Sequence, residues 1–91
     1  GFNVYPNEIE NVVADHSSVQ ECGVIGVPDQ RQGEAIKLFV VTKDPALNAE
    51  QLLIYCRKNL TNYKIPSKII FIDKIPKTSV GKVSRRELRN L

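Results

Sequence analysis

Ile36-Lys37-Leu38-Phe39-Val40-Val41-Thr42 is the stretch on which the fold turns. Successive residues of a strand point to opposite faces, and here both faces are largely apolar except at Lys37, which predicts a central strand. Upstream, Val24-Ile25-Gly26-Val27 reads as its antiparallel neighbour, joined by a turn that begins at Pro28-Asp29 and ends near Gly33. Downstream, Asp44-Pro45 breaks the strand. Asn48 and Gln51 then have capping spacing for a helix that turns Leu52, Leu53, Cys56 and Leu60 inward. Tyr63-Lys64-Ile65-Pro66 leads the chain into a third strand, Lys68 to Ile72.

At the start, Pro6 opens a helix expected to run to about residue 15. Glu8 and Glu10 lie in its first part, and Ile9, Val12 and Val13 along one face. At the end, Ser84 and Glu87 form an S-x-x-E pattern that predicts a short final helix from Ser84. The order α-β-β-α-β-α points to an α+β domain: a small three-stranded, mainly antiparallel sheet, two covering helices and a short C-terminal helix.

Ninety-one residues with 42% hydrophobic and 25% charged content suit one small domain, residues 1–91, with a modest core. No run of 18 apolar residues and no cationic leader occurs, so a soluble, cytoplasmic chain is expected. Cys22 and Cys56 lack the close pairing and the accompanying histidines of a metal site, and are read as buried free thiols. The net charge of +3 is unevenly spread. Residues 1–50 hold three basic against eight acidic side chains, a balance of −5. Residues 51–91 hold ten against two, a balance of +8. The basic half favours anionic ligands without naming them.

Within that half, Ile75-Pro76-Lys77-Thr78-Ser79-Val80-Gly81-Lys82-Val83-Ser84 places a lysine behind a glycine in an exposed connection just before the last helix. Helix starts favour anions, so an ammonium two residues earlier is well placed to meet phosphate or carboxylate. The alternative is an ordinary solvated lysine, since a glycine-lysine pair without a G-x-x-x-x-G-K-[ST] loop is a weak signal.

Four segments, in order, resemble those of the acyl-adenylate-forming enzymes, the AMP-binding superfamily. They are Gly1-Phe2-Asn3-Val4-Tyr5-Pro6-Asn7-Glu8-Ile9-Glu10, then Val27-Pro28-Asp29 with Gly33-Glu34, then Tyr63-Lys64-Ile65-Pro66, and finally Pro76-Lys77-Thr78 with Gly81-Lys82, Arg85-Arg86 and Leu88. The wording of the first and third is most similar to the long-chain fatty acid–CoA ligases of bacteria. The resemblance covers nearly the whole chain.

It implies the mobile C-terminal domain of a larger ligase, whose N-terminal AMP-binding domain would be its partner. That domain would hold the phosphate loop, most of the ATP and fatty-acid pockets and the magnesium ion. ATP and CoA would be substrates of the intact enzyme, and neither is expected bound to this piece, which is expected to be inactive alone. Lys82 matches the lysine that enters the site for adenylation. Its acetylation would silence such an enzyme by removing the charge.

Gly1 matches a glycine lining the pantetheine tunnel, with a turn glycine as the alternative. Lys64 and Lys68 fall where some relatives contact the CoA nucleotide, with solvation as the alternative. Tyr63 either stacks on adenine or anchors the core. Arg85, Arg86 and Arg89 are solvated or pair with the large domain, and His16 sits near a helix end where its charge suits the dipole. Peripheral membrane association of the full enzyme stays open.

Two rival readings remain. One is a relative with a carrier-protein acceptor. The other is a polyanion or nucleic-acid binder, against which stand only six aromatic residues and no recognised binding motif, so no nucleic acid is expected.

Overall fold

A computed structural model describes residues 5–31 and 33–91. The chain runs through helix α1 (Pro6–Ala14), strands β1 (Val19–Asp29) and β2 (Gly33–Thr42), helix α2 (Ala49–Asn59), a single 3-10 turn (Asn62–Lys64), strand β3 (Lys68–Phe71) and helix α3 (Arg85–Leu88). The predicted order holds.

The sheet has the order β1-β2-β3, with β2 in the centre as its two apolar faces require. β1 pairs antiparallel with β2 from Val19 opposite Thr42 to Asp29 opposite Gly33. The hairpin turn is therefore tighter than expected, because Pro28 and Asp29 still belong to the ladder. Pro28 is tolerated there because β1 is an edge strand and can spare an N–H. β1 also extends well upstream of the apolar run at residues 24–27. Gln20 and Glu21 hide this extension in the sequence, and a bulge between Val19 and Glu21 shifts the register.

β3 lies parallel to β2, from Lys37 opposite Lys68 to Val40 opposite Phe71, so the sheet is mixed. The cause is the intervening α2, which crosses over and returns the chain in the same direction.

Two apolar layers flank the sheet. On one face α1 and α2 bury Ile9, Val13, Leu52 and Cys56 against Val24, Ile36, Leu38 and Val40. On the other, Ile25, Phe39 and Val41 are covered by Ile75 and Leu88 from the C-terminal segment. The covering helices α1 and α2 thus share one side, and the last twenty residues close the other. Of the predicted inward residues of α2, Leu52 and Cys56 are buried whereas Leu53 and Leu60 are half-buried. The α2 capping box forms in both directions: Gln51 N–H donates to Asn48 Oδ1 at 2.9 Å and Asn48 N–H to Gln51 Oε1 at 3.1 Å.

Candidate active-site segment

Lys82 sits in a tight turn, internally bonded, between β3 and α3. Thr78 N–H donates to Lys82 O at 2.7 Å, Gly81 N–H to Thr78 O at 3.0 Å and Ser84 N–H to Pro76 O at 2.8 Å. The Thr78 hydroxyl accepts Lys82 N–H at 3.2 Å, and Lys77 bridges Val83 across the turn. Gly81 has φ +82°, the left-handed region, with nothing within 4 Å of a Cβ built there. Its role is conformational: a side chain would have room but would strain the backbone.

The arms of this turn are tied to the domain on three sides. Lys77 Nζ pairs with Glu21 of β1 at 2.6 Å. Val83 and Leu88 pack over Gly23 of β1. Arg85 Nη2 donates to Asn7 Oδ1 and to Glu10 Oε1, each at 3.0 Å. Glu10 completes that link with its other oxygen, which accepts Val24 N–H at 2.8 Å. An open groove of about 810 Å³ results, lined among others by Asn7, Thr78, Lys82, Ser84 and Arg86.

Lys82 itself is exposed. Among the described residues its ammonium has no hydrogen-bond or ion-pair partner, whereas Lys64, Lys77 and Arg85 are each paired. A flexible cation on a backbone held at its base can reach an anion presented from outside.

The helix after it corrects one expectation. α3 is a single turn of four residues, Arg85–Leu88. Its dipole adds little, so the attraction of this segment for anions rests on the side-chain charge. The capping box is also one-sided. Ser84 Oγ accepts Glu87 N–H at 3.3 Å, but Ser84 N–H is already bonded to Pro76 O, which leaves Glu87 no backbone donor to reach back to.

The AMP-binding enzyme C-terminal domain model matches residues 8–82. The chain belongs to this family. A long-chain-fatty-acid–CoA ligase of Salmonella typhimurium is 58% identical over 90 residues, which span 99% of this chain and 16% of that protein. Two solved structures each match 99% of this chain and 18% of their own. They are a fatty acyl CoA synthetase of Mycobacterium tuberculosis, at 40% identity and TM-score 0.88, and ATP-bound MatB of Rhodopseudomonas palustris, at 38% and 0.89. The chain spans under a fifth of the length of these relatives. The nucleic-acid reading finds no support among them.

The other predicted residues of this AMP-binding C-terminal domain are scattered. Lys64 lies in the 3-10 turn with its ammonium 2.6 Å from Glu8 Oε1, and that hydrogen bond raises its pKa above the ordinary lysine value. Lys68 is exposed at the start of β3. Neither lines the groove beside Lys82. Gly1 lies outside the described residues.

Tyr63 is 44% exposed with the Lys64 ammonium 5.5 Å from its ring centre, so it does not anchor the core. The preceding Leu60 takes an inward position, and the 3-10 turn swings Tyr63 outward.

His16 follows the α1 C-cap, as its place near a helix end anticipated; its Nδ1 accepts Ser18 N–H at 3.1 Å and its ring meets Tyr55 edge-on. Arg86 and Arg89 are exposed, while Arg85 pairs within the domain, a role the motif reading missed. The i,i+3 spacing of Asn7 and Glu10 puts an amide oxygen and a carboxylate on one face of α1, but says nothing of the residue 75 or more positions away that meets them.

Both thiols are free, Cys56 buried and Cys22 half-buried. Burial raises both pKa values, that of Cys22 to about 12, with Glu10 adding to the effect at Cys22. Among the described residues no three His, Cys, Asp or Glu side chains gather as a metal site.

Proposed function

We propose that this domain is the mobile C-terminal part of an AMP-forming ligase that activates a long-chain fatty acid with ATP and transfers it to CoA, and that Lys82 serves the first half-reaction. The observation that carries this reading is an exposed lysine without a partner among the described residues, on a turn hydrogen-bonded at its base, in a chain 58% identical to a long-chain-fatty-acid–CoA ligase over almost its full length.

Adenylation brings an anionic carboxylate against an anionic α-phosphate. A cation delivered into a water-poor cleft offsets that repulsion and the charge that builds up on the phosphate oxygens. The larger AMP-binding domain supplies the ATP and fatty-acid pockets and the magnesium ion. Lys82 must therefore enter from a domain that moves, and its four-carbon stem suits that reach. Lys68, exposed and without an ion-pair partner among the described residues, is assigned to the CoA phosphates ahead of Lys64, whose charge Glu8 already engages. The proposed location is the cytoplasm, where ATP and CoA are supplied.

The test is Lys82→Ala in the full-length ligase, with the two half-reactions assayed separately. Acyl-AMP formation is expected to fall by about 10² or more, the scale of removing one electrostatic group from a transition state. Thioester formation from supplied acyl-AMP should stay within a few-fold of wild type. Equal loss of both steps overturns the assignment.

A further inference from the structure

We infer that Arg85 is the positioning residue for Lys82, holding its turn through a bridge that runs from α3 to α1 and the edge strand β1. The inference rests on the role given to Lys82 above. Three observations carry it.

The guanidinium reaches two acceptors on one face of α1, Asn7 Oδ1 and Glu10 Oε1, both at 3.0 Å. Both bonds leave the single nitrogen Nη2, whose two N–H groups are held in the guanidinium plane, so together they fix direction as well as distance. The Glu10 carboxylate is shared. Its second oxygen accepts Val24 N–H at 2.8 Å, an N–H that β1, as an edge strand, does not spend on β2. Glu10 is thereby locked to the sheet, and Arg85 to Glu10. Finally, only Val83 and Ser84 separate Lys82 from Arg85, and Ser84 N–H closes the turn on Pro76 O. A fixed Arg85 thus fixes the return arm that carries Lys82.

A part-exposed ion pair contributes little to stability, so the geometry is the more consequential product of this bridge. The Arg85 and Glu10 side chains are 26% and 13% exposed. Removing Arg85 leaves Glu10 still bonded to Val24 N–H and open to some water. The domain then stays folded while the turn pivots about its apolar anchor at Leu88. Misplacement of a reacting cation by about 1 Å costs on the order of 10²-fold in rate.

The experiment uses the full-length ligase with Arg85→Ala, Arg85→Lys, Asn7→Ala, Lys82→Ala and the Arg85→Ala/Lys82→Ala pair. Arg85→Ala should lower kcat for acyl-AMP formation by about 10- to 100-fold with KM for ATP little changed, and leave thioester formation from supplied acyl-AMP within a few-fold. Arg85→Lys should restore part of the loss, because one ammonium reaches one of the two acceptors.

In the Lys82→Ala background Arg85→Ala should cost nothing more, since a residue acting through Lys82 has nothing left to position. Asn7→Ala, at an exposed position, should show a milder loss of the same pattern and stands in if Arg85→Ala fails to fold. A further loss in the Lys82→Ala background, or equal damage to both half-reactions, overturns the proposal while leaving Lys82 in place. Normal adenylation by Lys82→Ala alone removes both.

Discussion

A Cβ built on Gly23 would lie 2.8 Å from Leu88 Cδ1 and 3.1 Å from Val83 Cγ1. The middle of β1 therefore has to be bare for the C-terminal segment to dock, and the same contact sets how closely the Lys82 turn approaches the sheet.

Gly23→Ala should push the Leu88 and Val83 side chains outward and cost about 1–3 kcal/mol, the range for overpacking. Leu88→Ala removes a fully buried side chain and should cost about 2–5 kcal/mol. The double substitution should cost less than the two together, because the new methyl fills part of the space that Leu88 leaves. Urea unfolding of the four proteins checks this. Simple additivity would show that Gly23 and Leu88 do not share the contact.

Asn48→Ala should destabilise the domain by about 1 kcal/mol, since it removes the acceptor of Gln51 N–H and the partner of a reciprocal cap. For a domain of this size that is a fall of about 4–8 °C in melting temperature. Asn48→Asp, which keeps an acceptor at the same position, should recover most of it.

These two cases mark what was legible in the sequence. The α2 cap was, because a capping box is local: its donors and acceptors lie within four residues. So were the central β2, by the apolar residues on both its faces, and the exposed turn before the last helix, by its proline, hydroxyl residues and glycine. The parallel pairing of β3, the bare spot at Gly23 and the Arg85–Glu10–Val24 bridge join residues far apart in the chain. No local pattern encodes which face of α1 the tail will meet. The full reach of β1 was hidden for another reason. Its first half is an edge segment whose Gln20 and Glu21 meet water, which erases the apolar signal a strand normally leaves.

Cys22 gives a pH prediction. Its folded pKa is raised from 9.0 to about 12, chiefly by burial, so the folded domain keeps a proton that the unfolded chain loses. Above pH 9 the unfolded state binds fewer protons, and stability contributed by this group declines as pH rises from there toward 12. Melting temperature should therefore fall more steeply from pH 9.0 up toward about 12 in the wild type than in Cys22→Ala, a window set by that shift. Below it the two slopes should coincide. Disulfide exchange with a small aromatic reagent at pH 8 should be slow until the protein is unfolded, because both thiols are protonated and Cys56 is buried. Rapid labelling of the native protein would contradict this.

Lys64 and Lys68 differ in how free their charges are, and that difference predicts which governs CoA affinity. Lys64 is held by Glu8 at 2.6 Å, so a phosphate approaching it must compete with a carboxylate already in place. Lys68 has no such competitor among the described residues. In the full-length ligase Lys68→Ala should raise KM for CoA several-fold and leave acyl-AMP formation unchanged, with the difference from wild type shrinking as salt screens the contact. Lys64→Ala should have the smaller effect. Glu8→Gln, which frees the Lys64 ammonium, should lower KM for CoA if Lys64 lies within reach of the same phosphates. An unchanged KM in Glu8→Gln together with a raised one in Lys68→Ala assigns the contact to Lys68 alone, and unchanged values in all three variants place the CoA phosphates away from this edge of the domain.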